Sequence, residues 1–328
     1  MQKITRETLI EKAGELLANG TVNRVLGWKK GEFSYDQTPA VFSDVDSMKK
    51  DFVFDDFSGA NFSKYLIKEC KKDGKVLVFL KPCDTYSFNQ LLTEHRFDRE
   101  KVYAVGIPCD GMADVSKVKE MVGDGIVSIT SDGDKIKVET LYDGEKQIEK
   151  AQVLLERCAN CKSKKHVGYD ELIGEEGEVI DSNRFDQVEQ LEKMSADERF
   201  AFWQNELSRC IRCNACRDVC PACTCEKCVF DNPNSGVANK AAANSFEEKL
   251  FHVIRAFHVA GRCTDCGECS RVCPQHIPLH LLNRKFIKDI NSFYGDYQAG
   301  ETVGSRAPLV NYTKEDLEPS EAVKKEDE

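Results

Sequence analysis

The hydrophobic pattern of the first half of the chain alternates between helical and extended segments. Two short apolar runs, residues 76–80 and 102–107, are flanked by charge, as is usual for strands buried on both faces of a sheet. Residues 87–100 between them have a helical pattern, so the two strands are predicted to pair in parallel through a crossover helix. Residues 126–130 and 135–140 are predicted to form a hairpin. The order of elements predicts an α/β fold with a partly parallel sheet.

The second half of the chain is predicted to be mainly helical. Ser195 is followed by Glu198 three residues later, which is the pattern of a capping box at the start of a helix. A second helix is expected at about residues 245–260. The acidic, glycine-containing stretch before Ser195 is predicted to be a linker.

Charge and hydropathy narrow the classes of partner. The net charge of −10 argues against nucleic acid, because phosphate binding needs a basic surface. The chain has no run of eighteen apolar residues, so no membrane span is predicted. The amphipathic N-terminus lacks the apolar core of a signal peptide, and we expect a cytoplasmic protein. Residues 313–328 carry seven acids against three lysines and are predicted to be disordered.

The chain contains 16 cysteines. In a reducing compartment, dense cysteine patterns indicate metal binding or catalysis rather than disulfides. Two runs have the spacing Cys-x-x-Cys-x-x-Cys-x-x-x-Cys-Pro, beginning at Cys210 and Cys263. In such bacterial ferredoxin runs, three thiolates hold one 4Fe-4S cluster and the fourth ligates the other cluster.

This rule predicts two four-cysteine sites, named site A and site B here. Site A is Cys210, Cys213, Cys216 and Cys273, and site B is Cys263, Cys266, Cys269 and Cys220. Zinc is the alternative, but it would leave the third cysteine and the Cys-Pro pair of both runs unexplained.

A less regular pattern occurs in the first half. Both predicted parallel strands end in Pro-Cys-Asp, which places Cys83 and Cys109 beyond adjacent strand ends, where α/β proteins bind ligands. Cys158 and Cys161 can add two more sulfurs. The four residues, named site C here, fit a third cluster. Zinc, or a redox dithiol at Cys158 and Cys161, fits the spacing as well.

The remaining candidate side chains are assigned structural roles. Cys223, Cys225 and Cys228 follow the first run without an obvious fourth ligand, although His252 or His258 would complete a zinc site. Packing under the clusters is the simpler interpretation. Further candidates for packing or hydrogen bonding are Cys70, His276 and His280.

The cysteine segments 81–84, 106–109 and 158–162 occur in the order seen in beta subunits of deazaflavin-reducing hydrogenases and formate dehydrogenases, and the chain resembles that family over about residues 1–295. The resemblance implies an α/β fold, a 4Fe-4S cluster at site C and, in many members, FAD. Segments 209–217 and 257–269 resemble bacterial members with a C-terminal ferredoxin-like pair. No glycine-rich phosphate loop is present. Lys162, Lys164 and Lys165 either meet a flavin phosphate or offset cluster charge.

These observations predict an iron–sulfur electron-transfer subunit of an anaerobic redox complex. Its expected partners are a catalytic dehydrogenase or hydrogenase subunit, or a heterodisulfide-reductase-like flavoprotein. The alternative is a flavin-containing oxidoreductase subunit that exchanges hydride with a carrier and feeds the clusters. A zinc-stabilised interaction module is a third class. The predicted domains are an α/β domain at 1–175, a linker at 176–198, a two-cluster ferredoxin-like domain at 199–295 and an extended or disordered tail at 296–328.

Overall fold

The computed structural model describes residues 4–33, 35–161, 165–177, 183–232 and 245–309. Within these ranges, none of the helices combines the length and apolar character that crossing a bilayer requires. The predicted disordered segment, residues 313–328, lies outside the described residues.

The first half is built on a mixed sheet. Its strands are β1 (Arg24–Lys30), β2 (Gln37–Phe42), β3 (Phe52–Val53), β4 (Val76–Leu80), β5 (Val102–Gly106) and β9 (Glu171–Leu172). The main strand order is β2-β1-β4-β5-β9, and β3 also pairs with β1. The pairs β1·β4, β4·β5 and β5·β9 are parallel, whereas β2 and β3 are antiparallel to β1.

Helices connect and cover these strands. They are α1 (Arg6–Ala18), α2 (Val45–Asp51), α3 (Ser63–Glu69) and α4 (Pro82–Thr93). Every residue of β4 is buried, because the strand lies inside the sheet and its side chains enter the core on both faces. The predicted parallel pair is confirmed, and a helix does connect the two strands, but it covers Pro82–Thr93 rather than the predicted residues 87–100.

A second, smaller sheet is formed by residues that come between β5 and β9 in the sequence. It contains β6 (Ile126–Asp132), β7 (Lys135–Thr140) and β8 (Gly144–Glu149) in antiparallel order, preceded by α5 (Val115–Val122). The predicted hairpin is therefore confirmed. The third strand, β8, was not predicted.

The C-terminal half is helical in its described parts. Its elements are α7 (Asp186–Lys193), α8 (Ala196–Ser208), α9 (Ala215–Asp218), α10 (Ser245–Val259), α11 (Glu268–Arg271) and α12 (Leu279–Tyr294), whereas the short α6 (Glu156–Ala159) precedes β9 and belongs to the first half. Ser195 and Glu198 form the predicted capping box. The predicted fold class, an α/β region followed by a mainly helical region, is confirmed.

Two predicted connecting segments contain packed structure. The stretch assigned to a linker includes α7, whose buried Val188 and Leu191 pack with Leu281 of α12. The predicted tail begins with residues that are also buried, including Gln298 and Ala299. These segments differ from the expectation because a few buried side chains attach them to the helices.

Candidate iron–sulfur sites

The structure brings the four cysteines of site A around one cavity. Its lining contains Cys210, Cys213, Cys216 and Cys273. Cys216 is the second residue of the short α9, and Cys273 of the second run lies just after α11. Burial raises the pKa of Cys216 to about 12, so a metal that binds here must displace its proton.

The cysteines of site B are also neighbours. Cys220 interacts electrostatically with the other three, Cys263, Cys266 and Cys269. Burial raises the pKa of Cys263 and Cys266. The fourth cysteine of each run thus lies with the first three cysteines of the other run, as ferredoxin geometry requires.

The two runs share a local backbone conformation. Asn214 and Gly267 follow the second cysteine of their runs, and both have φ 65° and ψ 3°. This left-handed conformation is accessible to Gly and, at lower cost than for most residues, to Asn. It turns the chain so that the third cysteine enters a single helical turn.

Site C lies where the two buried parallel strands end. Cys83 is in the first turn of α4, directly after β4, and Cys109 follows β5. Cys158 and Cys161 come from α6 and the residues after it. All four line one cavity of about 40 Å³. Burial and the neighbouring Asp84 carboxylate raise the pKa of Cys83, so a metal that binds here must displace its proton.

The same cavity is lined by residues that belong to the C-terminal half. Arg284 of α12 is 1% exposed, and its Nε donates to the Asp265 carboxylate at 2.8 Å. Its Nη1 has no hydrogen-bond partner in the described structure. A buried guanidinium nitrogen without a partner, beside four thiols, suits an anionic group such as a thiolate-ligated cluster.

A buried ion pair joins site C to site B. Arg157, next to Cys158 in sequence, forms a salt bridge of 2.6 Å with Glu268, which is adjacent to Cys269. Arg157 also donates to the carbonyl oxygens of Gly59 and Cys266. Burial raises the pKa of the Glu268 carboxyl, but the positive charges of Arg271 and Arg157 lower it further, to about 2. The carboxylate is therefore ionised at neutral pH, and the pair fixes the two halves together.

The cysteines after the first run lie beside site B. The Cys223 thiol is hydrogen-bonded to Cys220, which lowers the pKa of Cys220 and raises that of Cys223. Cys223, Cys225 and Cys228 line a separate cavity with His258. The side chains of these three cysteines and His258 do not come close enough together to bind a single metal ion.

His252 has a different neighbour from the one considered for zinc. Its Nε2 lies 3.2 Å from the Cys210 sulfur of site A. His280 pairs with the Ser270 hydroxyl at 2.9 Å, and His276 lies 3.3 Å from the Ser116 hydroxyl. These contacts agree with hydrogen-bonding roles for His276 and His280.

The other candidates are dispersed. Lys162 and Lys164 lie outside the described residues, and Lys165 is exposed. Cys70 packs against the core of the first half, and burial raises its pKa to about 11.

Comparison with known proteins places this geometry in context. Residues 206–277 match the family model of a 4Fe-4S dicluster domain. The chain is 24% identical to the F420-dependent formate dehydrogenase subunit beta of Methanocaldococcus jannaschii, over 83% of this chain and 86% of the relative. The F420-dependent formate dehydrogenase 1 subunit beta of Methanococcus maripaludis is also 24% identical, over 89% and 92% of the two chains. The chain is thus similar to these beta subunits over most of their length.

The predicted resemblance is thereby confirmed, and the dicluster match supports two 4Fe-4S clusters in the second half. Among solved structures, the chain is similar to the F420-reducing [NiFe] hydrogenase complex of Methanosarcina barkeri. That match has 16% identity and a TM-score of 0.36, and it covers 48% of this chain and 59% of the other.

Sequence reasoning missed the charged side chains around the sites. Arg157 adjoins the Cys158 motif, but nothing in the sequence indicates that its partner is Glu268. Arg255 lies three residues after His252 on α10, so it shares the helix face directed at the cysteines. Only the packing of α10 reveals that relation.

Proposed function

We propose that this chain is an iron–sulfur electron-transfer subunit of a larger redox complex, and that it conducts single electrons through 4Fe-4S clusters at sites C, B and A. The observation that carries the proposal is the succession of the three sites. A 4Fe-4S cluster supplies a one-electron redox couple whose potential depends on charge, hydrogen bonding and burial.

Contacts between neighbouring sites support the order C, B, A. The site C cavity is lined by Thr264 and Asp265, the two residues between the first two cysteines of site B. Site B meets site A where Cys269 and Cys216 share one buried cluster of side chains. Each site therefore adjoins the next.

Site A provides the exit toward a partner. Cys213 is exposed, and the neighbouring Ile211 is 62% exposed. Cys266 and Cys269 of site B are buried. Electrons enter or leave most directly at site A, because its ligand loop reaches the surface.

The third cluster and the partners are the finer parts of the proposal. Site C suits a cluster because it combines four thiols with buried arginines, among them Arg157 and Arg284. The relatives are subunits of F420-dependent formate dehydrogenases. We infer catalytic dehydrogenase or hydrogenase subunits, or a heterodisulfide-reductase-like flavoprotein, as partners in the cytoplasm. Flavin binding stays a prediction from the resemblance.

Metal analysis of the full chain, purified without oxygen, tests the proposal. We expect about twelve iron atoms and about as many sulfides per chain for three clusters, all reducible by single electrons in a titration followed by EPR. Zinc without iron would contradict the electron-transfer function. A count of about eight iron atoms would retain sites A and B and remove site C.

A further inference from the structure

One face of helix α10 contacts cysteines of both sites in the dicluster domain. His252 contacts Cys210 of site A, and Val259, nearly two turns later, packs with Cys220 and Cys263 of site B. Arg255 lies between these two contacts. Positions separated by three, four or seven residues share a helix face, so α10 presents Arg255 to the boundary between the sites.

The contacts of Arg255 reach both sites. Its Nη2 donates to the carbonyl oxygen of Cys216, a site A residue, at 3.0 Å. Its guanidinium also hydrogen-bonds with Cys269 of site B. Cys220 of site B is a further electrostatic neighbour. The residue is only 4% exposed, so water cannot screen these interactions effectively.

Arg255 differs from the other buried arginines in its counter-ions. Arg157 is paired with Glu268, and Arg284 is paired with Asp265. For Arg255, the described part of the chain supplies no carboxylate within salt-bridge distance, and its Nε has no hydrogen-bond partner. An unpaired buried charge is costly, so the surrounding cysteine sulfurs must supply the compensating negative charge.

We propose that Arg255 is the shared counter-charge of the clusters at sites A and B, and that it raises the reduction potential of both. Reduction adds negative charge to a cluster, so a nearby fixed cation favours the reduced form. Because Arg255 contacts both sites, it stabilises an electron on either cluster. The residue thereby shifts both potentials in the same direction.

Redox titration of the full chain, purified without oxygen and followed by EPR, tests this role. It rests on the proposed function, since both sites must hold clusters. Arg255→Met removes the charge with a side chain of similar reach. We expect the equilibrium constant for reduction to fall about tenfold at both clusters, which is about 59 mV for a one-electron couple. Arg255→Lys keeps the charge and should keep both potentials near those of the unaltered chain.

Lys249→Gln is the matched control. Lys249 lies on the same helix but over the Phe200 ring, 4.4 Å from its centroid. Removing this charge should leave both potentials unchanged. An equal shift in the control, or a shift confined to one cluster in Arg255→Met, would overturn the shared role.

Iron content separates the remaining outcomes. Loss of the A and B clusters in Arg255→Met, with retention in Arg255→Lys, supports a required positive charge. Loss in both variants overturns the proposal and assigns Arg255 a packing role. If the unaltered chain itself lacks iron at sites A and B, the proposed function fails instead.

Discussion

His252 and Arg255 lie one helical turn apart, but the imidazole faces a single site. Burial, together with Arg255 and Arg212, lowers the pKa of His252 to about 3, so the ring is neutral near pH 7. Its Nδ1 has no hydrogen-bond partner in the described structure, whereas Nε2 is 3.2 Å from the Cys210 sulfur. We assign the ring proton to Nε2, because a thiolate accepts hydrogen bonds.

Replacing this histidine should affect one cluster. In His252→Phe the hydrogen bond to the sulfur is lost, and the potential of the site A cluster should fall while that of site B stays constant. A redox titration followed by EPR measures both. His258→Phe, an exposed position on the same helix, is the control and should change neither. An equal shift at site B would contradict the assignment of Cys210 to site A.

At the level of single residues, the cysteines could be assigned to sites from their separations along the chain. The twelve ligands are proposed because their separations along the chain match the geometry of a cluster or the ends of adjacent strands. His252 and Arg255 have no such signature. Their roles depend on which face α10 turns inward, and that is decided by side chains distant in sequence.

At the level of the elements, the conformation and packing of the site B ligand loop require a glycine at position 267. Its φ is +65°, and a Cβ there would lie 2.8 Å from Cβ of Arg157. The positive φ would strain the backbone of an alanine, and the added Cβ would collide with the buried ion pair that joins the two halves. We therefore expect Gly267→Ala to be more damaging than an ordinary glycine substitution.

Gly133→Ala separates the two effects. Gly133 has nearly the same φ, +64°, but no atom lies within 4 Å of its added Cβ. Gly133→Ala should cost about 1–2 kcal/mol of strain, and Gly267→Ala should cost a further 1–3 kcal/mol or so from overpacking, with loss of iron from site B. Anaerobic denaturant unfolding and iron analysis measure these effects. Equal costs in the two variants would show that Arg157 does not constrain the loop.

Elements were predictable where burial is dense. Strand β4 is buried at every position and its apolar run is unmistakable, whereas β8 buries only Ile148 and gives no alternating pattern. Helix α7 was hidden in an acidic stretch because only Val188 and Leu191 are buried. A hydrophobic pattern is clear only where many side chains of a segment are buried. Elements with only one or two buried side chains are therefore not recognised from the sequence.

At the scale of the whole molecule, sites C and B are held together by contacts between distant parts of the chain. Besides the Arg157–Glu268 pair, the Ser87 and Thr264 hydroxyls are 2.9 Å apart, and the Asn61 backbone N–H donates to the Glu268 carboxylate at 3.2 Å. No local pattern predicts such pairings. The predicted grouping of the cysteines, in contrast, depends on local motifs, and it stays a prediction for iron analysis to test.

Substitution of Cys109 tests whether site C holds a cluster on the same electron-transfer path. Cys109→Ala removes one of four sulfurs, so iron should fall from about twelve to about eight atoms per chain, with a matching loss of sulfide and of one EPR signal. Cys70→Ala is the control, because Cys70 packs against the core outside the three sites and should leave the iron count unchanged. Because site C adjoins site B, loss of the cluster at site C should shorten the path only at that end. Dithionite should still reduce the two remaining clusters. If Cys109→Ala retains the full iron count, Cys109 is not a ligand of the cluster at site C.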